Sequence, residues 1–459
     1  MLPRAAIVYG IGELARRAGV SPEFFESWRI SFDSPGAVSV YVEPGTNRRL
    51  LFPAASPKFW DDLRAGVIRS STGSWMSPPH ASIRALVPNF KVPFSSADRS
   101  SVGPLFARVG ADCLECSLDL PASAVLTLSR YEETMPVPRD THGRFSAYES
   151  IAWRDGFLDR PIVDEYGLAL EQALRHLLPG WQPTERMLRV KLSHDVDEIG
   201  LPFRLRSAIG HTIRRGQPKA TIRDFRALLH RTETTYQGLL REVVGLSLGH
   251  RLEAAVYWKS SRRGPYDTGY DPRDPRILEM ISSFRAQSVE MGVHPSYDTF
   301  DSPQLFRDEI ASLQELFGEE HLGGRQDFLR WRPETWRHWE SMGLAYDGSV
   351  GFADRIGFRA GTAYNYRPWL LEQRRLARLV EVPLLAMDST LQNYMKLEPE
   401  EALVRLRDCV ARCRMVGGTF TMVWHNTKLT ESAYSMMYRR FLAELAGTQG
   451  DEMVWRHDD

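Results

Sequence analysis

The sequence predicts an α/β protein in which a parallel sheet with crossover helices, closed or nearly closed as a barrel, follows a smaller α/β or α+β domain. Three observations predict it. The chain has 459 residues, too many for one ordinary domain and enough for a barrel of about 250 residues plus a second unit. Downstream of residue 183, apolar strand-like runs alternate with helix-like segments. Between the two parts, Leu177-Leu178-Pro179-Gly180-Trp181-Gln182-Pro183-Thr184 closes a helix-like stretch (about Asp164 to Leu178) in Pro and Gly before a strand begins. The boundary is placed there, giving an N-terminal domain of residues 1–182 and a barrel of residues 183–459.

Within the first part, short strands are expected at Val38-Tyr41, Leu50-Phe52 and Val125-Leu128, with helices near Glu23-Trp28 and Pro57-Ala65. Ala5-Ala6-Ile7-Val8-Tyr9-Gly10-Ile11-Gly12-Glu13-Leu14-Ala15 satisfies a Gly-x-Gly-x-x-Ala pattern, but no second strand ending in an acidic residue follows at the distance a dinucleotide site needs. It reads as a turn before a surface helix. In the second part, strand-like runs fall near 188–193, 253–258, 289–293, 344–346, 379–384 and 418–424. They are separated by helix-like segments at 222–246, 275–286, 302–317, 333–342, 398–414 and 431–445. Strands separated by helices of this length are the signature of parallel pairing.

Lys plus Arg equals Asp plus Glu at 58 each, so no net field draws nucleic acid or an anionic membrane from a distance. A neutral or weakly charged ligand suits this balance better. The four cysteines form two close pairs, Cys113/Cys116 and Cys409/Cys413, far apart in sequence, and read as free buried thiols of a reducing compartment. Glu13, Arg16 and Arg17 interrupt the first apolar patch before a signal-peptide core forms, and no run of about 18 apolar residues occurs. The expectation is a cytoplasmic protein without a membrane span. The sequence leaves its oligomeric state open.

In a parallel barrel, chemistry gathers where the strands end. Asp195 and Asp197 stand two apart beyond Val190-Lys191-Leu192, and side chains at i and i+2 of a strand point the same way. Two carboxylates that close need a cation or a proton between them, which suggests a metal. Met291-Gly292-Val293-His294-Pro295-Ser296-Tyr297-Asp298 ends a second strand. Its His294 and Asp298, four apart, can present an imidazole and a carboxylate to one ion. Thr419-Phe420-Thr421-Met422-Val423-Trp424-His425-Asn426 is a β run ending in His425, a candidate acid or base. Gly324-Arg325-Gln326-Asp327 and Val382-Pro383-Leu384-Leu385-Ala386-Met387-Asp388 add Arg325 and Asp388 at two further strand ends, the kind of buried polar residue that orients catalytic groups.

These segments in this order, with Arg332-Pro333-Glu334-Thr335 after the Arg325 segment, resemble the five-motif layout of the NodB-type polysaccharide deacetylases. The likeness is to a bacterial branch in which His-Asp-x-Asp (His194 to Asp197) stands in place of Thr-Phe-Asp-Asp-Gly. The resemblance spans about 187 to 445. Upstream, Leu128-Ser129-Arg130-Tyr131-Glu132-Glu133 and Arg139-Asp140-Thr141-His142-Gly143-Arg144-Phe145 resemble an uncharacterised domain that often precedes this branch. The resemblance implies a distorted (β/α) barrel of about seven strands. It also implies one divalent ion, usually zinc, and a hydrolase that acts on carbon–nitrogen bonds other than peptide bonds. The acyl group would be an N-acetyl or a related one, on a carbohydrate or glycoconjugate.

By the same resemblance Asp195 is the general base, Asp197 and His294 are metal ligands, and His425 is the general acid, with Asp388 or Arg325 orienting the catalytic pair. The sequence departs from the family where Asp298 stands in place of a second His, so Asp298, His194 or water fills the third ligand position. Two other readings are kept open: a catalytically inactive carbohydrate-binding homologue, and a metal-dependent hydrolase of another bond such as a phosphoester.

Overall fold

The computed structural model describes residues 4–32, 36–54, 74–77, 80–84, 105–199, 235–260, 264–267 and 269–447. The expected helix at Pro57-Ala65 and the first part, 222–234, of the expected helix 222–246 lie outside these residues.

The N-terminal domain carries a mixed sheet of β1 (Arg29–Ser31), β2 (Ala37–Tyr41), β3 (Arg49–Pro53), β6 (Phe106–Gly110) and β7 (Cys113–Cys116) in the order β1-β2-β3-β7-β6, while β4 (Ser74–Ser77) and β5 (His80–Arg84) form a separate hairpin. β2 and β3 alternate partly buried and buried residues along their length, the pattern of a sheet with one face on a core. Two expectations fail here. Ala5–Tyr9 belongs to a continuous helix, Arg4–Arg17, and Val125–Leu128 is the end of the helix Leu120–Leu128. The second is buried on nearly every side, and an all-apolar segment has no periodicity by which to tell helix from strand. The two helices pack closely because Gly10 has no side chain: a Cβ there would lie 2.4 Å from the carbonyl oxygen of Pro121.

The larger sheet has eight strands, one more than the expected count: β8 (Arg189–Val196), β9 (Glu253–Trp258), β10 (Glu290–Val293), β11 (Gly323–Gly324), β12 (Tyr346–Asp347), β15 (Val380–Glu381), β16 (Ala386–Met387) and β17 (Thr419–Val423). The short antiparallel ribbon β13 (Trp369–Leu370) and β14 (Arg375–Leu376) stands apart from it. Every pairing in the order β15-β12-β11-β10-β9-β8-β17-β16 is parallel. The two edge strands are joined by residues 382–385 alone, where the Thr421 hydroxyl donates to the Pro383 carbonyl and accepts from the Leu385 N–H, so the arc curls into a distorted barrel. Its central strands are buried on both faces, as the near-continuous apolar runs required. Helices Pro275–Arg285, Pro303–Phe317, Thr335–Ser341, Pro399–Val416 and Ser432–Ala446 cover the outside.

Tyr257, near the carboxyl end of β9, and Tyr346, the first residue of β12, bring their hydroxyls to 2.7 Å, and Tyr346 donates to Glu290, which holds Lys191 at 2.6 Å. Glycines make room for these rings. A Cβ on Gly323 would fall within 1.8 Å of Tyr346, and one on Gly292 within 2.6 Å of Tyr257.

The N-terminal domain is fastened to the barrel by buried charges. Glu133 accepts from Arg130 Nε at 2.9 Å and from Arg359 Nε at 3.0 Å and Nη2 at 2.5 Å. Arg17 Nε donates to Asp164 at 2.6 Å, and the same carboxylate accepts from the Thr362 hydroxyl and the Ala363 N–H. All four cysteines are free and buried. No helix among the described residues is long and apolar enough to cross a membrane.

Candidate active site

Strand β8 ends in Ser193-His194-Asp195-Val196, and because strand side chains alternate, His194 and Asp195 leave on opposite faces. Asp195 accepts a hydrogen bond from Arg325 Nη1 at 2.8 Å, and Arg325 Nε donates to the Gly348 carbonyl at 2.9 Å, over the ring of Tyr257. A carboxylate from the end of β8 and a guanidinium from the end of β11, with β9 and β10 between them in the sheet, are thus held as one buried pair. His194 instead sits in the wall. Its Nδ1 is 2.8 Å from the Trp424 carbonyl and its Nε2 3.3 Å from the Ser247 hydroxyl. Burial depresses its pKa to about 4, so it stays neutral.

Asp197, His294 and Asp327 bring one ligand atom each within 4.8 Å of one another. His294 Nε2 lies 3.2 Å from Asp197 Oδ1 and 3.2 Å from Asp327 Oδ1. A tetrahedral ion with bonds of about 2.0–2.2 Å separates its ligands by roughly 3.3–3.5 Å, so the spacing fits. The imidazole is also oriented for the task. Nδ1 donates to the Arg325 carbonyl at 2.7 Å, which fixes the tautomer that leaves Nε2 as the electron-pair donor. Burial opposes charge on His294, but Asp195, Asp197 and Asp327 raise its pKa to about 10. Loading an ion there therefore means expelling a proton.

Lys259, the residue after β9, closes the set. Its ammonium lies 2.8 Å from Asp327 Oδ2, 2.9 Å from Asp267 Oδ1 and 3.3 Å from Asp197 Oδ1. Burial favours the neutral amine, but Asp327, Asp197 and Asp267 hold its pKa well above the ordinary range. With His294 neutral, three carboxylates against one ammonium leave two negative charges, the complement of a divalent cation. Asp197 is the member that faces the opening, its side chain 41% exposed.

His425 stands opposite. Its Nδ1 is 2.7 Å from Asp388 Oδ1, its backbone N–H donates to Asp388 Oδ2, and its Nε2 points toward Asp197 Oδ2 at 3.5 Å. Burial disfavours the imidazolium, yet Asp388, with Asp197 and Asp195 beyond, lifts its pKa to about 9. The ring is held as a proton donor near neutral pH.

Six of the eight residues singled out in the sequence, Asp195, Asp197, His294, Arg325, Asp388 and His425, converge at the carboxyl ends of β8, β10, β11, β16 and β17. Two do not join them. His194 is turned away by the strand's alternation, and Asp298 opens the turn Tyr297–Phe300, outside the cluster of ligand atoms. Asp327 is the third member of the cluster. The sequence placed Gly324-Arg325-Gln326-Asp327 at a strand end but drew only Arg325 from it, since β11 is two glycines long and carries no alternation to say which later side chains face the mouth. Lys259 was missed. The run Glu253–Trp258 ends on Lys259, and a charged residue at the end of so apolar a strand was the available signal.

A family model described as a family of unknown function, DUF7033, matches residues 66–179. Among curated proteins none matches the sequence. Among solved structures, a protein described as a polysaccharide deacetylase from Mycobacterium smegmatis resembles this chain at 16% identity and a TM-score of 0.40, over 58% of this chain and 87% of its own. Puue allantoinase does so at 14% and 0.39, over 59% and 87%. A protein described as a polysaccharide deacetylase involved in O-antigen biosynthesis from Bordetella bronchiseptica does so at 15% and 0.30, over 56% and 90%.

Proposed function

We propose that this chain is a metal-dependent hydrolase that removes N-acetyl or related acyl groups from a carbohydrate or glycoconjugate. The observation that carries the reading is the arrangement around Asp197: a carboxylate paired to arginine on one side, a histidine paired to aspartate on the other, and a three-ligand cluster between them. Asp197, His294 and Asp327 would hold the ion. When bound, a divalent cation supplies Lewis acidity toward a carbonyl oxygen and lowers the pKa of water.

The chain's own groups supply the proton transfers. Asp195, fixed by Arg325, takes the proton of the attacking water at its free oxygen. His425, charged and aimed by Asp388, gives its Nε2 proton to the leaving amine, so that acetate and a free amine result. Asp388 keeps Nδ1 engaged, which commits the mobile proton to Nε2. Arg325 also receives the His294 Nδ1–H on its carbonyl, so one residue orients both the base and a ligand.

The test is acetate release from N-acetylated sugars, measured beside phosphate release from phosphoesters, with zinc and other divalent ions supplied in turn. Asp195→Asn abolishes acetate release while one equivalent of metal stays bound. Unchanged turnover in that variant overturns the assignment of the base. Phosphate release without acetate release overturns the substrate class.

A further inference from the structure

Three rings surround the loops that carry the acidic residues. Tyr266 precedes Asp267, Phe328 follows Asp327, and Tyr297 donates its backbone N–H to Asp267 at 3.3 Å. Tyr266 and Tyr297 stack with centroids 4.2 Å apart, and Phe328 meets both edge-on, at 5.4 and 5.2 Å. Tyr266 remains 48% exposed. An exposed aromatic face one residue from a polar site is where an apolar ring face of a ligand docks.

A fourth ring comes from the other domain. His142 lies 5.6 Å from Tyr266, 5.8 Å from Tyr297 and 5.0 Å from Phe328 by ring centroids, and its Nδ1 is 3.0 Å from the Tyr297 hydroxyl. Its loop is built to hold that position. Asp140 Oδ1 accepts the N–H groups of both His142 and Arg144, and Gly143 turns the chain at φ +75°. Arg330 donates to the carbonyls of His142 and Tyr297, at 2.8 and 2.7 Å, while Arg144 reaches the Phe328 carbonyl and the Tyr394 hydroxyl. The guanidiniums are engaged in joining the loop to the barrel, so the wall they support offers rings and hydroxyls to a ligand.

Phe328 and Leu329 both hold left-handed backbone, at φ +56° and +55°, a conformation that costs non-glycine residues about 1–3 kcal/mol each and persists only where surroundings enforce it. Arg144 on the Phe328 carbonyl and Arg139 on the Trp331 carbonyl are among those surroundings.

We infer that the Arg139–Phe145 loop of the N-terminal domain completes the substrate site, and that His142, Tyr266, Tyr297 and Phe328 form one wall of a subsite for a neutral, N-acylated pyranose ring next to the scissile amide. This rests on the hydrolase reading for its orientation, but it assigns to the N-terminal domain, which contains the whole DUF7033 match, a direct part in ligand recognition.

The experiment measures calorimetric binding of two probes to the full chain carrying Asp195→Asn. The probes are the tetramer of β-1,4-linked N-acetylglucosamine and an N-acetylgalactosamine oligomer. Added Tyr266→Ala weakens binding of the recognised probe by about tenfold, and His142→Ala by roughly threefold. Tyr266→Phe, which keeps the ring, stays within about twofold. Tyr266 is half exposed, so its truncation leaves the thermal midpoint in place and separates recognition from folding. Unchanged affinity in both alanine variants overturns the subsite, and failure of the parent to bind either glycan overturns the ligand class. If the wild-type protein releases no acetate and the affinity pattern still holds, the hydrolase reading falls and the subsite stands.

Discussion

Two buried charge clusters in this molecule are closed in different ways. At the seam between the domains, Glu133 is gripped by Arg130 and Arg359, and Arg359 spends a further N–H on the Gly351 carbonyl while lying over the Trp331 ring. Glu132 takes Arg130 Nη2 at 2.6 Å, so two carboxylates meet two guanidiniums, and Glu133, Arg130 and Arg359 are buried. At the mouth of the barrel, carboxylates outnumber the Lys259 ammonium, and Asp197 is left facing solvent. A matched cluster holds two domains together. An unmatched one is arranged to take something in.

Substitutions can break this contrast. The largest expected effect is at the seam: Glu133→Ala leaves the buried Arg359 guanidinium without its anion and Arg130 with Glu132 alone, and costs about 3–5 kcal/mol, read as a fall in the urea midpoint. A loss under about 1 kcal/mol would show the seam to be no stronger than a surface pair. At the mouth the cost shifts from folding to binding. Asp327→Asn lowers zinc affinity at least about 100-fold, some 2.7 kcal/mol, while the midpoint of the metal-free protein moves far less than in Glu133→Ala. Competition with a fluorescent chelator measures the first and denaturation in EDTA the second.

Gly143→Ala is smaller, about 1 kcal/mol, because φ +75° suits glycine alone while the nearest atom to a new Cβ is 3.6 Å away. A wholly neutral result would mean that the loop is not held as described.

The last effect is electrostatic. His425 titrates near 9 when folded and near 6.5 when unfolded, so the stability its charge contributes is complete below about pH 6.5 and is lost as pH rises through about 9. In Asp388→Asn the His425 ring resonances, followed by NMR in the metal-free protein, titrate at lower pH. An unmoved titration would remove Asp388 as the cause.

How much of this was legible follows from the physics of each element. The barrel strands could be read because parallel strands buried on both faces are apolar without interruption, as in Glu253–Trp258 and Thr419–Val423. The convergence of Asp195, Asp197, His294 and His425 could be read because strand ends share one rim. Asp327 was harder to read, since a strand of two glycines, Gly323 and Gly324, which leave room for the Tyr346 ring and the backbone of Val293, carries no apolar pattern to orient the residues after it. His194 misled for a simpler reason: adjacency in sequence along a strand is opposition in space. Nor could the meeting of His142 with Tyr297, 155 residues apart, be seen from either segment alone.

Tyr257 serves the packing of the barrel and its rim at once. It stands opposite Asp195 in the β8–β9 register, its ring lies against the Arg325 guanidinium, and its hydroxyl meets Tyr346, which is tied to Glu290. A substitution made there for stability is therefore also a substitution against the Asp195–Arg325 pair.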